Sequence, residues 1–101
     1  MIKSKLLLLF IFSLTISSFY AGDPEKGKAL YSSCVQCHGD QGMGKLEEKA
    51  PKIAGQHEWY IINQLNAFKN KTRVNPKMYP YIKDLSSKDY EYLAAFVSKL
   101  K

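Results

Sequence analysis

The sequence predicts a small all-α domain in which three to four helices wrap around one bound group. Three stretches of the chain carry helix-capping residues or apolar residues at helical spacing. No stretch alternates apolar and polar residues over the length of a strand. The body of the chain is also short, and a domain of this size buries so little surface that a disulfide, a metal or another cross-link commonly adds to its stability.

The N-terminus has the pattern of an export signal. Two lysines near the start are followed by a mostly apolar run and a more polar end. The apolar run is shorter than a comfortable bilayer-spanning helix. We therefore predict a signal peptide at residues 1–21, cleaved after Ala21, and one domain at residues 22–101 outside the cytoplasm. If cleavage does not occur, residues 6–20 would tether the domain to the membrane.

The charge of residues 22–101 is mildly basic. Without the two N-terminal lysines the chain has 13 basic and 9 acidic residues, a formal charge of +4. The basic residues are spread out, with no run of Lys or Arg and no basic stripe interleaved with aromatic residues. We therefore do not expect nucleic acid as a partner. An acidic protein surface, or transient contact with an anionic membrane surface, suits this charge.

The first helix is predicted from Asp23 to about Ser33. Asp23 is a preferred N-cap residue, and Pro24 occupies the first helical position, where a missing N–H costs nothing. Gly27 lies in the helix interior, where glycine costs about 1 kcal/mol relative to alanine. We infer that close contact with another helix requires its missing side chain.

The stretch Cys34-Val35-Gln36-Cys37-His38 predicts covalent attachment of a c-type haem. Two thiols at this spacing reach the two vinyl groups on one edge of a porphyrin, where they become thioethers. The histidine directly after the second cysteine places its imidazole under the iron as the proximal ligand. The group predicted at the centre of the fold is therefore one haem.

Three other readings of the motif stay open from the residues alone. A disulfide between Cys34 and Cys37 would close a very small loop and constrain the unfolded chain little. A thioredoxin-like redox pair needs a βαβ context and an acidified thiol, and no strand pattern precedes Cys34. A zinc site could use both cysteines with His38 and His57, but the usual second pair of ligands is missing.

The middle of the chain combines irregular segments with a second helix. Residues 39–44 contain three glycines and predict a tight loop. Residues 50–55 predict extended chain with turns, because a proline disfavours helix in the residue before it. Residues 58–69 predict a helix with a wide apolar face, since apolar residues recur at helical spacing, as at Ile61 and Leu65. This helix is expected to form core and haem wall.

Residues 70–81 predict an irregular loop. Helical periodicity stops there, and Pro76 and Pro80 interrupt regular structure. This loop carries Met78, which makes it important for the iron.

The last helix begins after Ser86. Ser86 and Asp89 have the spacing of a capping box, and Leu85 and Tyr90 have the spacing of a hydrophobic staple. The apolar stripe continues at Leu93, Phe96, Val97 and Leu100.

The second axial ligand of the iron decides between an electron carrier and a ligand-binding protein. Met78 is favoured because the forty residues after His38 are enough to cross to the other haem face. Met43 follows His38 by only five residues, too few to pass round the macrocycle. His57 could reach the iron in principle, although its place at a helix start favours an exposed polar cap. The alternative is that Met78 fills space in the core without binding the iron.

These residues together resemble the small class I bacterial cytochromes c, which carry one haem and are periplasmic. The resemblance extends over residues 23–101. It lies in Gly27-Lys28-Ala29-Leu30-Tyr31, Cys34-x-x-Cys37-His38-Gly39, Pro51-x-Ile53-Ala54-Gly55-Gln56, Tyr60, Gln64-Leu65, Phe68, Arg73, Asn75-Pro76-x-Met78 and Leu85-Ser86.

The resemblance implies a class I cytochrome c fold and a role for each site residue. Cys34 and Cys37 look like the thioether cysteines, with His38 and Met78 as axial ligands. Pro51 matches the position whose carbonyl accepts the other imidazole N–H and so fixes the ring.

Further resemblances concern the haem edge and the helix contact. Arg73 is similar in placement to a basic residue that pairs with a haem propionate, although a solvated arginine remains an alternative. Gly27 and Tyr31 look like the contact of the first helix with Tyr92 or Phe96. The aromatic residues around Met78 depart from the usual pattern.

The implied function is that of a monomeric one-electron carrier and not an enzyme. Its iron would keep both axial positions filled by protein, so electrons pass through the exposed haem edge. Its expected place is between a quinol-oxidising complex or dehydrogenase and a terminal oxidase or peroxidase. Two alternatives are a haem-bearing subunit of a larger redox enzyme and a haem sensor that binds a small ligand.

Overall fold

The computed structural model describes residues 22–101, and the predicted signal segment at residues 1–21 lies outside the described residues. Three longer helices and two single-turn helices follow one another, with a short 3₁₀ turn in between. In chain order they are α1 (Pro24–Tyr31), α2 (Val35–His38), the 3₁₀ turn (Leu46–Glu48), α3 (Glu58–Lys69), α4 (Tyr79–Ile82) and α5 (Ser87–Val97).

The prediction of an all-α fold is confirmed. Within residues 22–101 the β pairing is limited to an isolated bridge between Lys45 and Ala50, which closes the loop that contains the 3₁₀ turn. In the same residues no helix is long and apolar enough to cross a membrane.

Helix α1 begins as the sequence predicts and ends two residues earlier. The Asp23 carboxylate accepts a hydrogen bond of 2.9 Å from the Glu25 N–H, and Pro24 opens the helix. The helix ends at Tyr31 because the Cys34 N–H bonds the Tyr31 carbonyl at 2.8 Å. This tight turn leads directly into α2, which holds the cysteine–histidine motif.

Helices α1 and α5 pack backbone to backbone at Gly27. A Cβ on Gly27 would lie 2.7 Å from the carbonyl carbon of Tyr92 and 2.8 Å from the Cβ of Phe96. The ring centroids of Tyr31 and Phe96 lie 5.4 Å apart one turn further on. The predicted close helix contact is therefore confirmed, and it explains why a glycine is needed inside the helix.

The core lies where α3, α4 and α5 meet the end of α1. Helix α3 has the predicted bounds and buries Leu65 and Phe68. Helix α5 has the predicted capping box: the Ser86 hydroxyl accepts from the Asp89 N–H, and the Asp89 carboxylate accepts from the Ser86 N–H, both at 3.0 Å. The buried cluster consists of Tyr31, Leu65, Phe68, Ile82, Tyr90, Leu93 and Val97.

The prediction of irregular chain as far as residue 81 is wrong at its end, where α4 begins at Tyr79. Pro80 does not prevent this helix, because it lies in the first turn, where the backbone N–H has no helical partner. A separate helical turn leads into α4, and it is closed by a hydrogen bond of 3.0 Å from the Tyr79 N–H to the Asn75 carbonyl.

Candidate functional site

His38 is the most buried polar side chain of the site. It is the last residue of α2, its side chain is 7% exposed, and its Nδ1 lies 2.9 Å from the carbonyl oxygen of Pro51. A carbonyl can only accept a hydrogen bond, so Nδ1 carries the proton and donates. Nε2 then keeps its lone pair, and within residues 22–101 it forms no hydrogen bond. An imidazole in this state is ready to bind a metal.

The backbone on either side of His38 is fixed by three hydrogen bonds. The His38 carbonyl accepts from the Gly44 N–H at 2.8 Å, and the His38 N–H bonds the Cys34 carbonyl at 2.9 Å. The hydroxyl of buried Tyr31 donates to the Gly39 carbonyl at 2.6 Å. Burial, with a smaller effect from negative charge nearby, raises the pKa of Tyr31 to about 12. Tyr31 therefore stays a hydrogen-bond donor at physiological pH.

The two cysteines of the motif are free, half-buried thiols. Burial raises the pKa of the Cys34 thiol above its ordinary value, with a smaller opposing effect from a hydrogen bond to Ser33. A thioredoxin-like pair needs the opposite shift, and the disulfide alternative also receives no support from free thiols. The Cys37 Sγ lies 3.9 Å from a carboxylate oxygen of Glu48 in the 3₁₀ turn.

The zinc alternative receives no support either. In the part of the chain that the structure describes, no group of three or more His, Cys, Asp or Glu side chains could hold a metal ion. His57 lies at the N-cap of α3, where its exposed ring forms no capping hydrogen bond. The ring instead stacks on Trp59, with 5.8 Å between centroids.

Met78 lies directly before α4 and is half-buried against the core cluster. Cys34, Ile53 and Ile61 also pack against this cluster from three other segments of the chain. Met43, by contrast, is 52% exposed. Met78 is thus half-buried and Met43 is exposed, which agrees with the preference for Met78 over Met43 as the ligand. The ligand role of Met78 stays a prediction.

Arg73 is exposed in the loop between α3 and Met78. Its guanidinium lies over the ring of Phe68, 4.5 Å from the centroid, and hydrogen-bonds the side-chain oxygen of Gln64. Both partners belong to α3, so they hold the arginine against that helix. Its pairing with a propionate stays a prediction.

The donor set has the chemistry that a covalent haem requires. Two thiols lie one helical turn apart, the adjacent imidazole is buried with a bare Nε2, and a thioether sulfur is available at Met78. Thiols, imidazole and thioether are the groups that bind haem and its iron in c-type cytochromes. The residues present therefore fit this group.

Two features of the site were missed by the sequence analysis. Asn75 accepts hydrogen bonds from the backbone N–H groups of Lys77 and Met78, at 3.0 and 3.1 Å. The Lys77 ammonium bonds the Glu48 carbonyl at 3.3 Å and links the methionine segment to the 3₁₀ turn. Of these two features, only the role of Asn75 has a sequence pattern that predicts it. Asn75 precedes a proline, as Asp23 does at the start of α1.

Comparison with known proteins defines the class. Residues 24–101 match the family model described as Cytochrome c. The chain belongs to the cytochrome c family, in which a c-type haem is covalently attached. This confirms the resemblance at the level of the family.

Within this family the chain is similar to cytochrome c4. It is 42% identical over 76 residues to cytochrome c4 of Thiocapsa roseopersicina, covering 74% of this chain and 38% of that protein. The solved structure of cytochrome c4 from Acidithiobacillus ferrooxidans superposes with a TM-score of 0.71 at 35% identity, covering 76% of this chain and 49% of that chain. The predicted cytochrome c fold is thereby confirmed.

A second kind of relative is named for its partner. The chain is 38% identical over 85 residues to the thiosulfate dehydrogenase electron acceptor of Thiomonas intermedia (strain K12), covering 84% of this chain and 37% of that protein. The chain thus spans less than half the length of these curated relatives. Their names are those of cytochromes and an electron acceptor, in agreement with the prediction that the chain is not an enzyme.

Proposed function

We propose that this protein is a one-electron carrier that holds one haem through Cys34 and Cys37, with His38 and Met78 as axial ligands. The observation that carries the proposal is the buried imidazole of His38 within the cysteine motif, with Nδ1 on the Pro51 carbonyl and Nε2 free. The bound haem supplies an iron centre that gains and loses one electron.

The chain controls this chemistry by orientation and by burial. The bond from His38 to Pro51 fixes the imidazole ring and makes Nε2 a stronger donor. Met78 would hold the iron together with His38, so the protein would fill both positions and no substrate would bind there. The thioether of Met78, together with the apolar residues around it, would favour the less charged ferrous state and raise the reduction potential.

The charge around Met78 suits an acidic partner. Residues 59–83 contain five basic residues and no acidic one. Lys71, Arg73 and Lys77 are exposed, and Val74 between them is 76% exposed and could supply an apolar centre to the contact. Basic charge of this kind steers a partner of opposite charge into contact. The interface with the partner is expected to be small and the complex short-lived. The carrier itself is expected to be a monomer.

The carrier is proposed to act in the periplasm, after cleavage of residues 1–21, or on a membrane tether if the segment at residues 6–20 is retained. Its donor would be a quinol-oxidising complex or a dehydrogenase, and its acceptor a terminal oxidase or peroxidase. The relative named as a thiosulfate dehydrogenase electron acceptor supports a dehydrogenase as donor.

A second candidate function is that of a haem-bearing subunit in a larger redox enzyme. The observation in its favour is the structural similarity to part of thiosulfate dehydrogenase (TsdBA) from Marichromatium purpuratum, with a TM-score of 0.75 at 25% identity, covering 78% of this chain and 19% of that chain. Co-purification of the exported protein with a catalytic subunit would support this candidate. A monodisperse monomer that exchanges electrons with a separate oxidase would support the free carrier.

The test of the site is the optical spectrum of the exported, haem-loaded protein in both redox states. Met78→Ala should abolish the red-edge absorption band of methionine-bound ferric haem and leave high-spin iron. Met43→Ala is the matched control, since Met43 is exposed, and its spectrum should equal that of the unaltered protein. An unchanged spectrum in Met78→Ala would refute the proposed ligand, whereas high-spin iron in the unaltered protein would favour a ligand-binding haem protein.

A further inference from the structure

Met78 lies in a single helical turn directly before α4. Asn75 precedes this turn, Pro76 is its first residue, and Met78 is its third, with helical backbone angles of φ −76° and ψ −36°. The Tyr79 N–H bonds the Asn75 carbonyl at 3.0 Å, the spacing of an α-helical hydrogen bond. The backbone around Met78 is therefore a hydrogen-bonded turn that leads into α4 and not a free loop.

Asn75 has the geometry of the N-cap of this turn. Its side-chain oxygen accepts from the Lys77 N–H at 3.0 Å and from the Met78 N–H at 3.1 Å, which are the second and third helical positions. In helices generally, an N-cap side chain accepts a hydrogen bond from the N–H of the second or third helical residue. Proline is favoured at the first helical residue, directly after the cap. Asp23 and Pro24 form the same arrangement at the start of α1.

We propose that Asn75 is the positioning residue for the axial ligand Met78. The inference rests on the proposed function, in which Met78 binds the iron. By holding the Met78 N–H, the Asn75 amide fixes the backbone from which the thioether projects. The ligand is thereby placed before it binds, and the open state in which another ligand could replace it becomes less populated.

Among the side-chain hydrogen bonds of residues 70–77, that of Asn75 is the one that reaches the Met78 backbone. Every residue from Asn70 to Lys77 is exposed except Asn75, which is half-buried, as is Met78. Other side chains of the segment also make contacts: Arg73 hydrogen-bonds Gln64 and lies over the Phe68 ring, and Lys71 lies over the Tyr79 ring. Lys77 pairs with Glu48 at an ion-pair distance of 3.9 Å, with both groups partly solvated. An exposed pair of this kind contributes little. Of the two bonds that Asn75 accepts, one comes from the Met78 N–H itself and the other from the Lys77 N–H directly before it.

The experiment measures how tightly imidazole competes with Met78 for the ferric iron of the haem-loaded protein. Replacing an N-cap asparagine with alanine shifts a helical turn towards its open form by roughly fivefold. Asn75→Ala should therefore bind imidazole roughly fivefold more tightly and show a weaker methionine absorption band. Asn75→Ser and Asn75→Asp keep an acceptor and should restore both values. Asn75→Thr keeps a weaker cap and should disturb folding less than Asn75→Ala. Its imidazole affinity and absorption band should lie between those of Asn75→Ala and the unaltered protein.

Asp23→Ala is the matched control, because it removes an equivalent cap from α1. It should lower the midpoint of unfolding in urea and leave the imidazole affinity unchanged. Equal imidazole affinity in Asn75→Ala and the unaltered protein would overturn the inference, and so would an equal gain in Asp23→Ala. Met78→Ala separates the two proposals: if its imidazole affinity and spectrum do not change, the proposed ligand itself is wrong.

Discussion

The hydroxyl of Tyr90 donates a hydrogen bond of 2.7 Å to the carbonyl oxygen of Ile82, and both side chains are 1% exposed. The bond joins α5 to α4, the helix that directly follows Met78. On the other side of the site, Tyr31 bonds the Gly39 carbonyl directly after His38. The packed pair α1 and α5 thus supplies one buried tyrosine to each segment that carries a proposed iron ligand.

Tyr90→Phe should lower the free energy of unfolding by about 1 kcal/mol, the net contribution of a typical buried hydrogen bond. The loss stays modest because the Ile82 carbonyl also accepts from the Leu85 N–H at 3.2 Å. Urea unfolding followed by circular dichroism measures it. Tyr81→Phe is the control, since Tyr81 is 51% exposed, and it should change stability little. An equal effect of both variants would contradict the role of the buried bond.

Gly27→Ala should be among the most destabilising single substitutions in the chain. The added Cβ would meet the main-chain carbonyl of Tyr92, which cannot move without separating α1 from α5. Overpacking of this kind costs about 1–3 kcal/mol and occasionally more. Lys28→Ala is the matched control in the same helix, on an exposed position. If urea unfolding gives the same midpoint for both variants, the backbone contact is not required.

The parts of the fold that were predicted correctly are those with local signals. The cap at Asp23, the capping box at Ser86 and Asp89, and the apolar spacing of residues 58–69 each act within one or two turns of chain. Such signals can be read without knowing what packs where. The haem motif belongs to the same class, because its chemistry is set by three residues.

The parts that were missed depend on contacts distant in sequence or on the position of one residue within a turn. Helix α4 was predicted as loop because Pro80 was read as a breaker, whereas it falls in the first turn. No local sequence pattern predicts the contact between Lys77 and Glu48, which are twenty-nine residues apart. Asn75 could have been found, since an Asn–Pro pair before a helical turn repeats the Asp23–Pro24 pattern.

Stability should decrease at high pH because of Tyr31. Burial raises the pKa of Tyr31 from 10.0 to about 12, so the folded state holds its phenol proton more tightly than the unfolded state. This contribution is complete below pH 10 and is lost as the pH rises towards about 12. Unfolding of the haem-loaded protein in urea, repeated across this range, measures the decrease.

Tyr31→Phe should make that pH dependence shallower, because it removes one titrating group. It should not abolish the dependence, since burial also raises the pKa of Tyr90. If the dependence comes only from other groups, Tyr31→Phe will have the same slope of stability against pH as the unaltered protein. That result would contradict the assignment to Tyr31.

Reversal of charge beside Met78 should slow electron exchange with an acidic partner. Lys71 lies in the basic segment at residues 59–83, so Lys71→Glu replaces an attractive charge with a repulsive one near the proposed docking surface. The second-order rate with an anionic redox partner at low salt should fall by about tenfold, and the difference should shrink as salt screens the charges. Lys99→Glu makes the same change of net charge outside that segment. It should have a much smaller effect, because steering depends on charge near the contact; equal effects would show that only net charge matters.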